Sequence, residues 1–227
     1  MTDVIYGIFE KDINVLSRKI GSVAGQMRWV QIDVADNTYV PVDLPHDFRL
    51  MAPTIARYIT AGLSFEAHLM VSQPDRYLAD LAAAGFSRVI AHVECDDPRE
   101  FLSEARSYDM EVGMAIDADT DVEVIEPFLE ELDFVLIMTA DAGSSGQAFQ
   151  TETLEKIRMI HRAMPDLPIE VDCGMNPDTA KIVRDVGVTR IVTTSYLEKN
   201  IDNIPHVLEE LGGEQSEPTE EEKEDDE

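Results

Sequence analysis

Apolar and polar positions along this chain follow two alternating rhythms. Short runs that are apolar at nearly every position recur eight times: Val4–Phe9, Trp29–Val34, Phe65–Val71, Arg88–Val93, Val112–Asp117, Phe134–Thr139, Ile169–Asp172 and Arg190–Thr194. They are rich in Val, Ile and Phe. Such continuous apolarity over so few residues predicts strands covered on both faces, as in a parallel sheet. Between them the apolar spacing lengthens to that of a helix. Ile13, Leu16, Ile20 and Val23 form one such set, and Tyr77, Leu78, Leu81 and Ala82, opened by Pro74, form another. Val122, Val124, Ile125, Phe128, Leu129 and Leu132 predict a helix with Asp121 and Glu123 at its start. Leu154, Ile157 and Ile160 predict one after Thr151-Glu152-Thr153, and Ala180, Ile182 and Val183 predict one after Asn176-Pro177-Asp178. Gly62, Gly85 and Gly187 stand where helices should stop before the next strand.

Eight strand–helix units predict an α/β protein of the closed (β/α)₈, or TIM barrel, type. An open doubly wound sheet is the rival, and it is weaker because no Gly-rich dinucleotide turn follows the first strand. The 227 residues suit one barrel. No Pro/Ser/Gly-rich linker interrupts residues 1–211, so these form a single domain. Residues 212–227 are expected to be a disordered acidic tail, since from Glu214 onward nine acids face one Lys with almost no apolar residue.

Composition narrows the class. With 44% hydrophobic and 28% charged residues the chain is neither disordered nor a membrane bundle, and no run approaches the ~18 apolar residues a span needs. The start lacks a basic region followed by an apolar run, so no signal peptide is expected. The two cysteines, Cys95 and Cys173, give no disulfide framework or zinc-finger spacing, which predicts a cytoplasmic protein. The net charge of −28 argues against nucleic acid, whose binding needs a cationic face, and against anionic membranes.

Barrels of this kind build active sites at the C-terminal ends of their strands. Strand alternation puts Gln31, Asp33 and Ala35 on one side of the second strand, and Glu66, His68 and Met70 on one side of the third. The fourth offers His92 and Glu94, the sixth Met138 and then Asp141 to Gln147, the seventh Glu170 and Asp172, the eighth Thr193, Thr194 and Ser195. Burying Asp33, His68 and Asp172 is costly unless they pair, bind metal or face a cleft. Three such groups on different strands predict convergence at one mouth. His92 alone reads as a satisfied core histidine, His161 and His206 as helix-surface residues, and Cys173 as a small buried filler. The Gly143-Ser144-Ser145-Gly146 loop offers backbone N–H groups and small hydroxyls as an anion cradle, and Gly174, Thr194 and Ser195 follow the seventh and eighth strands, where barrels often bind phosphate.

These residues carry a resemblance. Trp29 to Pro41, His68-Leu69-Met70-Val71, Ile137-Met138 with the loop through Gly146-Gln147, and Glu170-Val171-Asp172-Cys173-Gly174 make the chain similar to the ribulose-phosphate 3-epimerase family over about residues 4–211. The resemblance implies an isomerase of pentose phosphate carbohydrate metabolism: a metal-dependent epimerase that inverts C3 of a pentulose 5-phosphate, D-ribulose 5-phosphate to D-xylulose 5-phosphate. It implies Asp33 and Asp172 as acid/base pair and metal ligands, His68 as a further ligand, and Met70 and Met138 as walls of the reacting centre. Gly143, Gly146, Gly174 and Ser195 match positions around the phosphate. The partner would be a small phosphorylated sugar, and the assembly a homo-oligomer.

Departures accompany it. Family members usually have a ligating His at residue 31, a Ser at Glu10, a Met at Ala35, and glycines at Cys173 and Thr194. Gln31 offers a neutral oxygen donor in place of an imidazole. That widens the expected divalent metal from Zn, Fe, Mn or Co toward Mn or Mg. Two further readings follow: a catalytically degenerate barrel acting as a phosphosugar-binding or assembly protein, and another phosphosugar enzyme of the same barrel group. The aldol-type synthases among the latter are disfavoured, because Asp33-Val34-Ala35 lacks their Asp-x-Lys.

Overall fold

The computed structural model describes residues 2–144 and 146–213. Eight parallel strands close into a barrel: β1 (Asp3–Ile8), β2 (Trp29–Ala35), β3 (Ser64–Met70), β4 (Arg88–His92), β5 (Glu111–Ile116), β6 (Phe134–Met138), β7 (Ile169–Asp172) and β8 (Arg190–Thr193). Each pairs with its sequence neighbours, and β8 returns to β1. Every strand lies within one residue of the run that predicts it. The helices are α1 (Ile13–Val23), α2 (Phe48–Ile59), α3 (Leu78–Ala84), α4 (Pro98–Ala105), α5 (Thr153–Ala163), α6 (Pro177–Arg184), α7 (Ser195–Lys199) and α8 (Ile204–Leu211). Asp12, Asp47, Asp97 and Asn176 cap α1, α2, α4 and α6 through side-chain oxygens that accept from first-turn N–H groups.

One predicted helix takes another form. Residues 122–132 make two 3₁₀ turns, Val122–Val124 and Glu126–Glu131. Pro127 has no N–H for an α-helical bond and its ring crowds the preceding turn. The buried Val122, Ile125 and Phe128 recur every third residue, which is the 3₁₀ repeat. Three-residue bonds such as Ile125 N–H to Val122 O and Phe128 N–H to Ile125 O replace the α pattern.

The main core is the ring between strands and helices. Val30, Ile32 and Val34 of β2 point into it, as do Ala67 and Leu69 of β3 and Val171 of β7. The alternate positions line the barrel interior, and much of that interior is polar. At its N-terminal end the Arg88 guanidinium lies 3.4 Å from the Trp29 ring centroid. Its Nε donates to Glu111 at 2.9 Å and its Nη1 to Glu66 at 3.3 Å, while Arg190 donates to Glu111 at 3.1 Å. Glu66 and Glu170 are fully buried above these two arginines. Burial, and then the neighbouring Glu66 carboxylate, push Glu170 well above the usual carboxyl range. This ionic layer plugs the barrel floor, so Asp33, His68 and Asp172 can only open toward the C-terminal mouth.

The plug depends on a close fit at Gly113. A Cβ there would lie 2.6 Å from the Phe134 ring, which supports the Arg190 guanidinium at 4.6 Å. Gly113→Ala should cost about 1–3 kcal/mol by overpacking. Urea denaturation checks this, and an unchanged midpoint would mean that the ring yields freely.

Candidate active site and metal centre

The register of neighbouring strands assembles the site. Asp33 of β2 pairs with His68 of β3, and Met138 of β6 pairs with Asp172 of β7. Asp33 Oδ1 lies 3.2 Å from His68 Nδ1. The Gln31 amide, fully buried one layer below, donates from Nε2 to Asp33 Oδ1 and to Asp172 Oδ2, each at 2.9 Å. One nitrogen thus ties together two carboxylates from strands on either side of β1 and β8. Ligand atoms of Asp33, His68 and Asp172 all lie within 4.8 Å of one another. The convergence predicted from sequence is present.

Electrostatics follow from the burial of like charges. Loss of solvent, and then repulsion from Asp33, push Asp172 up to about 6, against the hydrogen bonds from Gln31 and from the Cys173 N–H at 2.6 Å. Burial works to lower His68, but the adjoining Asp33 and then Asp172 outweigh it and raise the imidazole above its usual value. Burial also raises the Cys173 thiol, and Asp172 and Asp33 add to that. It is therefore no thiolate nucleophile.

A cleft opens above these groups. Asp33, His68, Met70, Met138, Gly143, Ser144, Gly146, Asp172, Gly174, Thr194 and Ser195 all border it. Ser145 lies outside the described residues. Gln31 does not border the cleft; it is buried, and its amide nitrogen bridges the two carboxylates. Its Oε1 is buried without a hydrogen-bond partner among the described residues. The cleft also takes in Phe9, Cys173, Met175 and Val192, which the sequence reading did not place there. Glu10 turns away to Lys19, 3.2 Å distant, and Asp141 is exposed.

Backbone conformation explains the loop at β7. Cys173 and Gly174 both adopt left-handed φ, 81° and 66°. At Gly174 a Cβ would lie 2.7 Å from the Phe149 backbone nitrogen, so only glycine fits. Cys173 holds a conformation rare for a side-chain-bearing residue, at a position where the sequence pattern favours glycine. Thr139 Oγ1 donates to the carbonyls of Asp172 and Cys173, each at 2.6 Å, and so locks the ends of β6 and β7 together.

Sequence reasoning missed a second polar group beside the first. His92 Nε2 lies 2.9 Å from His68 Nε2, with the two rings edge to edge and 21° from parallel. His92 Nδ1 faces Tyr39 Oη at 3.1 Å, Glu94 Oε2 at 3.4 Å and Asp117 Oδ1 at 3.6 Å. The alternation of β4 was the available signal. It aims His92 inward beside His68, but it does not show that the two rings touch.

The donor set suits a divalent cation. Two carboxylates and an imidazole converge in a buried pocket, and the unpartnered Gln31 oxygen offers a fourth donor if the amide turns over. Fold and site together define a (β/α)₈ barrel with a carboxylate–imidazole centre under a small-residue loop cradle. The chain matches the Ribulose-phosphate 3 epimerase family over residues 4–197 and belongs to it. Among curated relatives it is similar to "Ribulose-phosphate 3-epimerase" of Schizosaccharomyces pombe, 38% identical over 72% of each chain. It is similar to the protein of that name from Bacillus subtilis, 30% identical over 93% of this chain and 99% of the relative. It also resembles the "cytoplasmic isoform" from Oryza sativa, 33% identical over 74% of this chain and 75% of the relative. Among solved structures, Mycobacterium tuberculosis tryptophan synthase aligns with TM-score 0.70 at 14% identity, over 92% of this chain and 91% of that one. That likeness is one of fold alone.

Proposed function

We propose that this chain inverts C3 of a pentulose 5-phosphate, converting D-ribulose 5-phosphate to D-xylulose 5-phosphate by two-carboxylate proton transfer. The observation that carries this is Gln31 Nε2 at 2.9 Å from both Asp33 and Asp172. Inverting a carbon beside a carbonyl means removing a proton from one face and delivering one to the other, which takes two acid/base groups at one centre. Family membership over residues 4–197 supports the same reading.

In this mechanism one carboxylate takes the C3 proton and the other, as the acid, returns one from the opposite face. Asp172, raised to about 6, exchanges protons readily near neutrality. Met70 and Met138 are buried against the cleft and keep water from the developing enediolate. Gly143, Ser144, Gly146, Gly174, Thr194 and Ser195 hold the phosphate through backbone N–H groups and hydroxyls. Asp33, His68 and Asp172, with the Gln31 amide turned to present its oxygen, would hold a divalent cation, which supplies Lewis-acid stabilisation of the oxyanion worth several kcal/mol. We also read the protein as a cytoplasmic homo-oligomer. The named cytoplasmic relative supports the compartment.

Asp33→Asn and Asp172→Asn should each lower turnover of ribulose 5-phosphate at least ~10²-fold in a coupled assay. Near-normal turnover in either variant would remove that residue from proton transfer. The Gln31 bridge also favours a second reading, since its amide joins the two carboxylates without any cation. In that case the wild-type protein would bind the sugar phosphate and turn nothing over.

Residue 31 tests the metal. With one imidazole where the family pattern has two, the site should prefer a harder cation such as Mn²⁺ or Mg²⁺. Gln31→His should tighten zinc binding in chelator competition, because it returns a nitrogen donor to the same strand end. Tight native zinc binding with no gain from the substitution would place residue 31 away from the metal.

A further inference from the structure

We infer that His92 is a positioning residue that fixes the proton on His68, so that His68 Nδ1 is free to ligate the metal. The inference rests on the metal reading above, and it follows from counting donors and acceptors along one buried hydrogen-bonded line.

The line starts at Asp117. Tyr39 Oη donates its only proton to Asp117 Oδ2. Toward His92 the phenol can then only accept. The three atoms nearest His92 Nδ1 are Tyr39 Oη, Glu94 Oε2 and Asp117 Oδ1, all oxygens with no proton to give in that direction. His92 Nδ1 must therefore carry a hydrogen. Glu94 Oε2 and Asp117 Oδ1 have no hydrogen-bond partner among the described residues and face His92 Nδ1 at ion-pair distance.

A neutral His92 with its hydrogen on Nδ1 has a bare Nε2. That nitrogen lies 2.9 Å from His68 Nε2, and one proton must sit between two such atoms. The bare His92 Nε2 accepts it, so His68 carries Nε2–H. In the metal-loaded site, where a cation takes the place of the proton that Asp33 otherwise draws to this ring, a neutral His68 with its hydrogen on Nε2 presents a lone pair on Nδ1, the atom 3.2 Å from Asp33 Oδ1. This is the ring nitrogen on the carboxylate side, where Asp33 and Asp172 converge. The opposite direction of the 2.9 Å bond would place the hydrogen of a neutral His68 on Nδ1 and remove it as a ligand. Partners that fix the tautomer of a ligating histidine typically change metal affinity 10–100-fold when lost.

Both rings are essentially fully buried, so no water competes for the bond. The rings are close to parallel, 21° between planes with centroids 5.0 Å apart, and so meet edge to edge through their Nε2 atoms. Tyr39, on the loop after β2, and Asp117, just after β5, anchor the far end. The Asp117 segment is itself held by Lys156 Nζ, which donates to the carbonyls of Asp117 and Thr120, each at 2.5 Å.

The test is Zn²⁺ affinity of metal-stripped full-length protein by chelator competition, with thermal melting as the check on folding. His92→Leu, which offers no acceptor, should weaken binding about 10–100-fold. His92→Gln, whose side-chain oxygen can accept from His68 Nε2–H, should recover most of that loss. Asp33→Asn serves as the control for the metal site itself. If Asp33→Asn weakens Zn²⁺ while a folded His92→Leu binds as wild type, the inference fails and the metal reading stands. If neither variant changes affinity, the cation does not sit at His68 and both fail. Nitrogen-15 NMR of the zinc-loaded wild-type protein decides the matter even if the variants do not fold. It should show His68 Nε2 as the protonated nitrogen, and a protonated His68 Nδ1 would overturn the inference.

Discussion

Two aspartates and a histidine are buried inside the barrel, and the rest of the molecule accommodates that burial. Charged groups removed from water are tolerated only when hydrogen bonds or opposite charge replace the lost hydration. Here Gln31 supplies one amide nitrogen to Asp33 and Asp172 together, and His68 faces Asp33 from the next strand. The repulsion that remains is visible in Asp172, which is held near 6. A carboxyl held there is costly for an ordinary core but suited to moving protons near neutral pH. The same physical tension that would weaken a structural barrel is therefore what equips this one for catalysis.

The floor beneath the site obeys the same constraint by different means. Glu66 pairs with Arg88, while Glu170 lies near both arginines with no hydrogen-bond partner for its carboxyl among the described residues, and the guanidiniums rest on Trp29 and Phe134. This arrangement closes the N-terminal end of the barrel with a charged plug in place of layered aliphatic side chains. It gives the site a single open face, and the loops after β6, β7 and β8 border that face with small residues. The departures from the family pattern gather in this region too. Gln31 takes a bridging place, and Cys173 takes a left-handed conformation. Both leave Asp33, His68 and Asp172 convergent, so the cluster persists while its immediate supports have changed.

Much of the architecture was legible in the sequence because fully covered parallel strands leave an unambiguous apolar run. All eight were placed to within a residue, and alternation along β2, β3 and β7 aimed Asp33, His68 and Asp172 at one mouth. Local pattern could not separate α from 3₁₀ at residues 122–132, where Pro127 and a three-residue apolar repeat decide the outcome. It also could not show that the Gln31 amide joins Asp33 to Asp172, because that contact reaches a residue 141 positions away. His92 read as a satisfied core histidine for the same reason: its partners, His68 among them, lie on other elements. The shared lesson is that strand patterning reports which side of the sheet a residue occupies, while hydrogen-bond partners across the barrel are a property of closure.

The central claim is that Asp33 and Asp172 act on opposite faces of one carbon. Its most direct test is conversion of ribulose 5-phosphate by the metal-loaded wild-type protein in D₂O, followed by NMR at C3 during the first turnover. Two separate carboxylates, each exchanging with solvent, predict xylulose 5-phosphate that carries deuterium at C3 from the first molecules formed. Product that retains the original C3 hydrogen, or bound sugar phosphate that neither exchanges nor converts, would contradict the two-carboxylate account.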